Sequence, residues 1–587
     1  MKDCYILGLH DGHCATASLM KNGKLIACVS EERFVNKKNE SGIPINAINY
    51  CLKFAKITSK DITRVILASK FMAPVSGRMY AKDEEKKNSF SLLYKTVQKL
   101  RKILYKSPKV HDWFYERFSG YFYRKSEENR KQNIAKKLNI SEEKITLQEH
   151  HLGHAYTAMY GSGFLEKNEP FLVLTLDGEG DGICSTVSIV KNGKIRRIAK
   201  TTNAYSIGLL YLEVTRYLGM KPLEHEYKVM GLAPYAYKDN VKEVYELLKD
   251  FIGVKGLKFE GKFHSHEYQK ILGERLKLKR FDIISGAIQM LTEELLEKWV
   301  TNCIKTTGIN KIAFAGGVFM NVKANMKLAN IKELKEFFIF PSGGDESLAI
   351  GAGYYGYEQY CEKNKIKVNI EPLDNLYLGP EVEDKEILEE FNKLNINNKY
   401  KLEKPKNVEK KIAELLSKGE IVARCTGRME WGARALGNRS ILADPSRWTT
   451  LKEINEAIKC RDFWMPFAPV IMKEHEEEYI INPKKIKMPY MVLAFDSTKN
   501  AEKEMIAAMH PYDKTIRPQI LEREWNERYH EIIKQFQKIT KRGVLLNTSF
   551  NLHGYPIAKG AKEALFILKN SGLKYLSINN YLVSKLR

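Results

Sequence analysis

Two stretches of this chain repeat one another at a constant offset. Gly8, Asp11, Gly12, Cys14, Thr16 and Ser18 have counterparts in Gly178, Asp181, Gly182, Cys184, Thr186 and Ser188, and Lys21-Asn22-Gly23-Lys24 in Lys191-Asn192-Gly193-Lys194. In each copy an apolar run, "YILGL" or "FLVLTL", enters a Gly/Asp turn, returns as a strand, turns at Asn-Gly and leaves as a third strand. Asn-Gly between apolar strands predicts a tight hairpin, because both residues tolerate positive φ. A chain that carries this unit twice is internally duplicated. Small residues at each Gly/Asp turn let backbone N–H groups approach an anion, and an Asp can hold the metal of a bound phosphate. Gly12, Gly178, Gly180, Asp181 and Gly182 are therefore candidate nucleotide-binding residues.

The remaining chain reads as an α/β protein. A helix is predicted near residues 44–56, a strand at "RVILAS", and after residue 282 a long helix, the strand "KIAFAGG", an Asn-rich turn and the Gly-rich segment "FFIFPSGGDESLAIGAGYYG". The pattern lapses over residues 362–385, and the linker is placed at 366–385. A chain of 587 residues is too long for one core and is expected to hold two or three domains. No apolar stretch approaches the ~20 residues of a membrane span, and the start lacks the features of a signal peptide. Nine cysteines without CxxC pairs fit neither a disulfide framework nor a zinc cluster, so a reducing cytoplasm is expected. The net charge of +25 favours anionic ligands. Much of it lies near residues 78–137, which read as a Lys-rich helical insertion. A solvated face is preferred there over a nucleic-acid surface.

In "EHHLGHAYTAMY", His150 and His154 stand at i and i+4 of a predicted helix, the spacing at which two imidazoles face one metal, while His151 points elsewhere. Asp345, at the Gly-rich start of a later helix, is a candidate third ligand. Two His and one carboxylate suit iron(II) or zinc. In the C-terminal part, Arg424, Arg428, Arg434, Arg439 and Arg447 lie among glycines, and guanidinium forks bind phosphate oxygens in pairs. Lys459 and Arg461 form a Lys-x-Arg pair, and Ser549 with Asn551 a Ser-x-Asn pair after an apolar strand. On a strand, i and i+2 share a face, so each pair can present two polar groups to one ligand.

The stretches "GLHDGHCATASL", "EERFVNKKNESGIP", "EHHLGHAYTA", "LDGEGDG", "EHEYKVMGLAPYA", "AGGVFMNVKAN" and "GGDESLAIGAG" cover almost all of residues 1–356. In order and spacing the chain resembles the O-carbamoyltransferases of nodulation-factor, cephalosporin and aminoglycoside pathways. Their first domain is related to the tRNA threonylcarbamoyl-transfer protein and has the duplicated two-lobed fold of the actin and sugar-kinase superfamily. The resemblance implies such a domain over residues 1–365 and an α/β YrdC-like domain over 386–587, where Lys-x-Arg and Ser-x-Asn form a tetrad that makes carbamoyl adenylates. It implies that His150, His154 and Asp345 hold iron, or zinc or manganese, with Asp177 beside it. Lys228, Gly316, Gly317 and Asn321 would meet the nucleotide, and His13 would be the catalytic histidine at the acceptor hydroxyl. Arg424, Arg428, Arg439, Lys459, Arg461, Ser549 and Asn551 would bind carbamoyl phosphate and Mg2+-ATP. The chain departs from the common pattern at Cys14, where an Asp follows the histidine, and at Tyr555, where an acidic residue is usual.

The implied reaction has two steps. ATP and carbamoyl phosphate give carbamoyl adenylate in the C-terminal domain, and the carbamoyl group then passes to a hydroxyl of a small-molecule or saccharide acceptor in the metal-containing domain. A reactive adduct needs shelter from water, and an imidazole suits the proton transfer. A tRNA threonylcarbamoyl-type enzyme or a kinase-like ATPase are the alternatives. The first would bind tRNA with steep salt dependence, and the second would consume ATP without carbamoyl phosphate.

Overall fold

The duplication appears as two sheets of identical strand order. The computed structural model describes residues 3–70, 120–395, 398–459 and 461–586. The first sheet comprises β1 (Tyr5–His10), β2 (Thr16–Lys21), β3 (Lys24–Ser30), β4 (Arg64–Ala68) and β5 (Ile145–Gln148), in the order β3-β2-β1-β4-β5. The second comprises β6 (Phe171–Gly180), β7 (Ile183–Lys191), β8 (Lys194–Thr202) and, after the short hairpin β9 (Gly253–Lys255) and β10 (Lys258–Glu260), β11 (Lys311–Ala315) and β12 (Glu336–Ile339). Its order is β12-β11-β6-β7-β8. In both sheets the first three strands are antiparallel and the last two add in parallel to the first. Both predicted hairpin turns have the backbone that Asn-Gly allows. Asn22 and Gly23 take φ 51° and 88°, and Asn192 and Gly193 take 52° and 70°.

The helix His150–Gly161 packs on the second sheet and the helix Leu348–Lys363 on the first, and the two helices meet between them. Small residues set their separation: a β-carbon at Gly351 would lie 2.1 Å from Gly153 O. That approach brings the residues before Leu348 over the start of the first helix. Of the basic stretch near 78–137, residues 78–119 lie outside the described residues, and the rest belongs to the helix Gly120–Leu138.

The third sheet has eight strands. It is built from β13 (Tyr400–Glu403), β14 (Val422–Cys425), β15 (Arg439–Ala443), β16 (Ala468–Met472), β19 (Gln519–Leu521), β20 (Val544–Ser549), β21 (Tyr575–Ile578) and β22 (Tyr581–Lys585), while β17 (Ile480–Ile481) and β18 (Asp496–Ser497) form a separate pair. Its order is β13-β22-β21-β14-β15-β20-β16-β19. Between Lys363 and Asp384 the chain has no helix or strand, yet it is bonded on both sides: Cys28 N–H donates to Leu378 O, and Trp431 N–H to Leu376 O at 2.7 Å. One buried apolar cluster runs from Phe171 and Trp299 to Trp431 and Ile471, so N- and C-terminal halves share a core. Among the described residues no helix is long and apolar enough to cross a membrane.

Candidate active site

Four side chains from four parts of the chain converge: His150 and His154 from one helix, Asp177 from the irregular end of β6, and Asp345 from the turn before Leu348. Their nearest ligand atoms all lie within 4.8 Å of one another. His150 Nε2 is 3.2 Å from Asp177 Oδ2 and 3.5 Å from Asp345 Oδ1, and His154 Nε2 is 3.9 Å from each carboxylate. Four ligands around one ion at about 2.0–2.2 Å stand about 3.3–3.6 Å apart in a tetrahedron, so the spacing fits a single metal. His154 Nε2 is buried without a hydrogen-bond partner, as a lone pair reserved for a cation must be. Ser69 Oγ, 2.9 Å from His150 Nδ1, and Ser347 Oγ, 3.3 Å from His154 Nδ1, engage the other ring nitrogens and orient both Nε2 atoms inward. His151 is turned away, between Thr175 Oγ1 at 2.8 Å and Ile183 O at 3.0 Å.

The carboxylates draw positive charge into this group. Burial opposes charge on His150, but Asp345 and Asp177 outweigh it and hold the imidazole up at about 10. Burial would raise Asp177, yet the His150 bond and the imidazoles hold it well below the usual carboxylate range. His154 is pushed down by burial and by its neighbour His150. His13 Nδ1 lies 3.3 Å from Asp345 Oδ2 with its side chain 39% exposed to the adjoining cleft. His10, not anticipated from the sequence, stands behind it, 3% exposed, with Nε2 3.7 Å from Asp345 Oδ2. Its signal was a histidine at the end of an apolar strand.

The cleft measures about 480 Å³ and is lined from both halves of the chain. His13, Asp177, Gly178, Gly317, Asn321 and Asp345 open onto it from one side, and Arg434, Arg461, Arg517, Ser549 and Asn551 from the other. Lys459, 2% exposed, lies just beneath. Its ammonium donates to Ser549 O, to Ser549 Oγ at 3.2 Å, to Asn551 O at 3.1 Å and to Asn551 Oδ1 at 2.6 Å. The Lys-x-Arg and Ser-x-Asn pairs thus meet, though not through strand alternation. Lys459 ends a π-helical turn, Asn455–Lys459, and Asn551 follows the end of β20. Burial, then Arg461 and Lys38, holds Lys459 well below the ordinary lysine range. Burial likewise lowers Arg434, to about 10, and Arg517, on which Arg434 and Arg461 also act. Among the described residues no ion pair with a carboxylate joins any of these four cations. Such a pocket is built for an anion.

Other predicted ligands have different partners. Arg439 is fully buried and donates to the carbonyls of Lys559, Thr426, Asn438, Pro380 and Gly427. Arg428 donates to Ile26 O at 2.9 Å and Leu378 O at 2.8 Å and stacks on Phe54. Arg424 bonds Gly437 O and Asn438 Oδ1 and lies over Tyr529. These three guanidiniums satisfy loop carbonyls instead of facing the cleft. The guanidiniums that do line it are Arg33, which donates to Gly432 O at 2.9 Å, and Arg434, Arg461 and Arg517, the last carried by no motif in the sequence. Asp181 accepts from the His150 and Lys70 N–H groups at 2.7 and 3.0 Å, and Gly180 backs onto the His150 ring. Gly12 packs on His10, and Gly316 on Leu176 O. Gly182 O accepts from Asn203 N–H. Lys228 pairs with Asp462 at 2.9 Å.

Residues 5–354 match the family profile described as carbamoyltransferase N-terminus, and residues 413–585 the one described as carbamoyltransferase C-terminus. The chain belongs to the carbamoyltransferase family. It is an enzyme, a carbamoyltransferase, and works on a carbamoyl donor and an acceptor. An uncharacterized protein of Methanocaldococcus jannaschii is 31% identical over 99% of this chain and 100% of its own. Nodulation protein NolNO of Sinorhizobium fredii is 28% identical to this carbamoyltransferase, over 98% of this chain and 79% of its own. Among solved structures, component A of the Acidaminococcus fermentans (R)-2-hydroxyglutaryl-CoA dehydratase aligns with 61% of this carbamoyltransferase and 98% of that chain, at 14% identity and a TM-score of 0.31.

Proposed function

We propose that this carbamoyltransferase is ATP-dependent and acts on a hydroxyl. An actin and sugar-kinase-like domain over residues 1–365 would carry transfer, a linker would span 366–385, and a YrdC-like domain over 386–587 would carry activation. Carbamoyl phosphate, Mg2+-ATP and water give carbamoyl adenylate, pyrophosphate and phosphate. The acceptor hydroxyl then takes the carbamoyl group, and AMP leaves. The observation that carries this reading is that both sets of residues line one cleft. A labile adduct formed among the cations then has only the width of one cleft to cross before it reaches His13.

In the activation step, Lys459, Arg461, Arg434 and Arg517 neutralise phosphate charge, none of them held in a direct ion pair by a carboxylate among the described residues. Ser549 and Asn551 hold the Lys459 ammonium beneath the cleft, and one of its N–H groups exchanges such an acceptor for a phosphate oxygen when the substrate binds. For transfer, His150, His154, Asp177 and Asp345 would hold an iron, zinc or manganese ion, which when bound would supply Lewis-acid polarisation of the carbamoyl carbonyl. His13 turns Nδ1 toward Asp345 and keeps Nε2 for the acceptor. Asp345 thereby orients the imidazole so that Nε2 can accept the hydroxyl proton as the hydroxyl attacks.

The test is release of AMP and pyrophosphate from ATP with and without carbamoyl phosphate, beside a Lys459→Ala/Arg461→Ala double variant. Release that requires carbamoyl phosphate and disappears in the variant is expected. ADP formation indifferent to carbamoyl phosphate would overturn the reading.

A further inference from the structure

Lys228 belongs to the short helix Glu226–Leu232 in the N-terminal half, and its partner Asp462 belongs to the C-terminal half, one residue beyond Arg461. Their side chains are 12% and 33% exposed, with Nζ and Oδ2 2.9 Å apart. The same two segments touch again. Trp464 Nε1–H donates to Lys228 O at 3.2 Å, and from a separate segment of the C-terminal half His510 Nε2 bonds Gly231 O at 2.8 Å. A β-carbon at Gly231 would stand 3.4 Å from Met465 Sδ and 3.7 Å from Pro466 Cδ. Residues 461–466 are therefore fastened to a helix of the other half, and Arg461, Met465 and Pro466 line the cleft together with Tyr227, Met230 and Gly231 of that helix.

The surrounding field explains why an acid is needed there. Lys459 and Arg461 lie within the influence of Lys38. Burial, then the Lys228 and Lys38 ammoniums, keeps His553 below the usual imidazole range. His225 is lowered by burial and by Lys228, with Glu224 and Asp462 opposing. Asp462 is the carboxylate that ties this cationic loop to Lys228.

We infer that Lys228 and Asp462 are positioning residues: their ion pair holds the Arg461 loop against the N-terminal half and so keeps activation and transfer groups on one cleft. The catalytic consequence rests on the two-step reading above, whereas the fastening itself does not. The test uses the full-length enzyme with Lys228→Met, Asp462→Asn and the exchanged double variant Lys228→Asp/Asp462→Lys. Two readouts are taken: hydrogen–deuterium exchange of the peptide covering 459–467, and KM and kcat for carbamoyl-phosphate-dependent pyrophosphate release from ATP. Each single variant should exchange faster in that peptide and lose about 10- to 100-fold in kcat/KM, as a displaced binding group does, with the melting temperature little changed. The exchanged pair should recover most of both. Single variants with unaltered exchange and kinetics, or an exchanged pair no better than the worse single, would overturn the inference. Faster exchange in variants of an enzyme whose wild type releases no pyrophosphate from ATP in the presence of carbamoyl phosphate would instead sink the two-step reading and leave the fastening standing. If one single variant fails to fold, the other carries the test.

Discussion

Lys459→Met should leave the folded enzyme nearly as stable as before while removing much of its grip on phosphate. The ammonium has three N–H groups, shared among four uncharged acceptors on Ser549 and Asn551. Bonds from a charged donor contribute roughly 1.5–3 kcal/mol each, or about 5–9 kcal/mol for three. Against this stands the penalty of several kcal/mol for burying a cation, here with no carboxylate to offset it. The terms largely cancel, so the unfolding free energy should move by no more than about 2 kcal/mol. The pH dependence has a definite sign. Lys459 lies below the unfolded value of 10.5, so the folded state binds fewer protons than the unfolded one within that window. Its penalty is fully present below the folded pKa and lifts as pH rises toward 10.5. Methionine abolishes that rise. Pyrophosphate at 100 times its Kd should stabilise the wild type by about 2.7 kcal/mol. Losing one charge-assisted bond weakens binding roughly 10- to 150-fold, which cuts the same gain to about 0.3–1.4 kcal/mol. Thermal unfolding with and without pyrophosphate, across pH, reads all three quantities. A variant that unfolds far more easily in buffer alone, or that keeps the full pyrophosphate shift, would refute the reasoning.

Gly180→Ala places a β-carbon 2.1 Å from the His150 ring, so elemental analysis of purified protein should find its metal largely lost; full retention would contradict the four-ligand site. Arg428→Met removes bonds to the carbonyls of Ile26, Leu378 and Gly379, a long bond to the Tyr50 hydroxyl and the stack on Phe54. It should cost roughly 2–4 kcal/mol in stability with KM for carbamoyl phosphate unchanged, and Arg517→Met should show the opposite pattern in the same pair of assays. Stripping metal with a chelator and then restoring Mg2+ alone should leave carbamoyl-phosphate-dependent pyrophosphate release intact and stop carbamoyl transfer to the acceptor, with the AMP release that accompanies it; equal loss of both would argue against separate half-sites.

What was legible in the sequence is what local chemistry decides. Asn22-Gly23 and Asn192-Gly193 dictate their own backbone, and the topology repeats because the unit does. His150 and His154 share a face by helical spacing, and Asp345 reaches them because Gly153 and Gly351 let two helices close. The arginine-rich stretch was misleading for a physical reason. A guanidinium seeks acceptors, and whether those are phosphates or carbonyls depends on loops far away in sequence. Arg428 and Arg439 find theirs near residues 378–380 and 559, which no spacing reveals. Arg517, alone in its segment, leaves no mark before folding brings it beside Arg434 and Arg461.

The duplicated halves also show how one asymmetric site arises from a repeated unit. At the matched positions, both turns are occupied by structural bonds: Arg130 grips Asp11 through two bonds of 3.0 and 2.6 Å, and Asp181 holds backbone N–H groups of His150 and Lys70. The chemistry sits where the copies differ. Leu7 in the first copy corresponds to Asp177 in the second, His10 to Gly180, and His13 to Ile183. The second copy thus supplies a metal-facing carboxylate and, by having no side chain at Gly180, the room that the His150 ring occupies. The first supplies His10 and His13 on the opposite side of Asp345. Restoring symmetry at either position destroys one role: a histidine at 180 would stand where His150 stands, and a glycine at 10 would remove the wall behind His13.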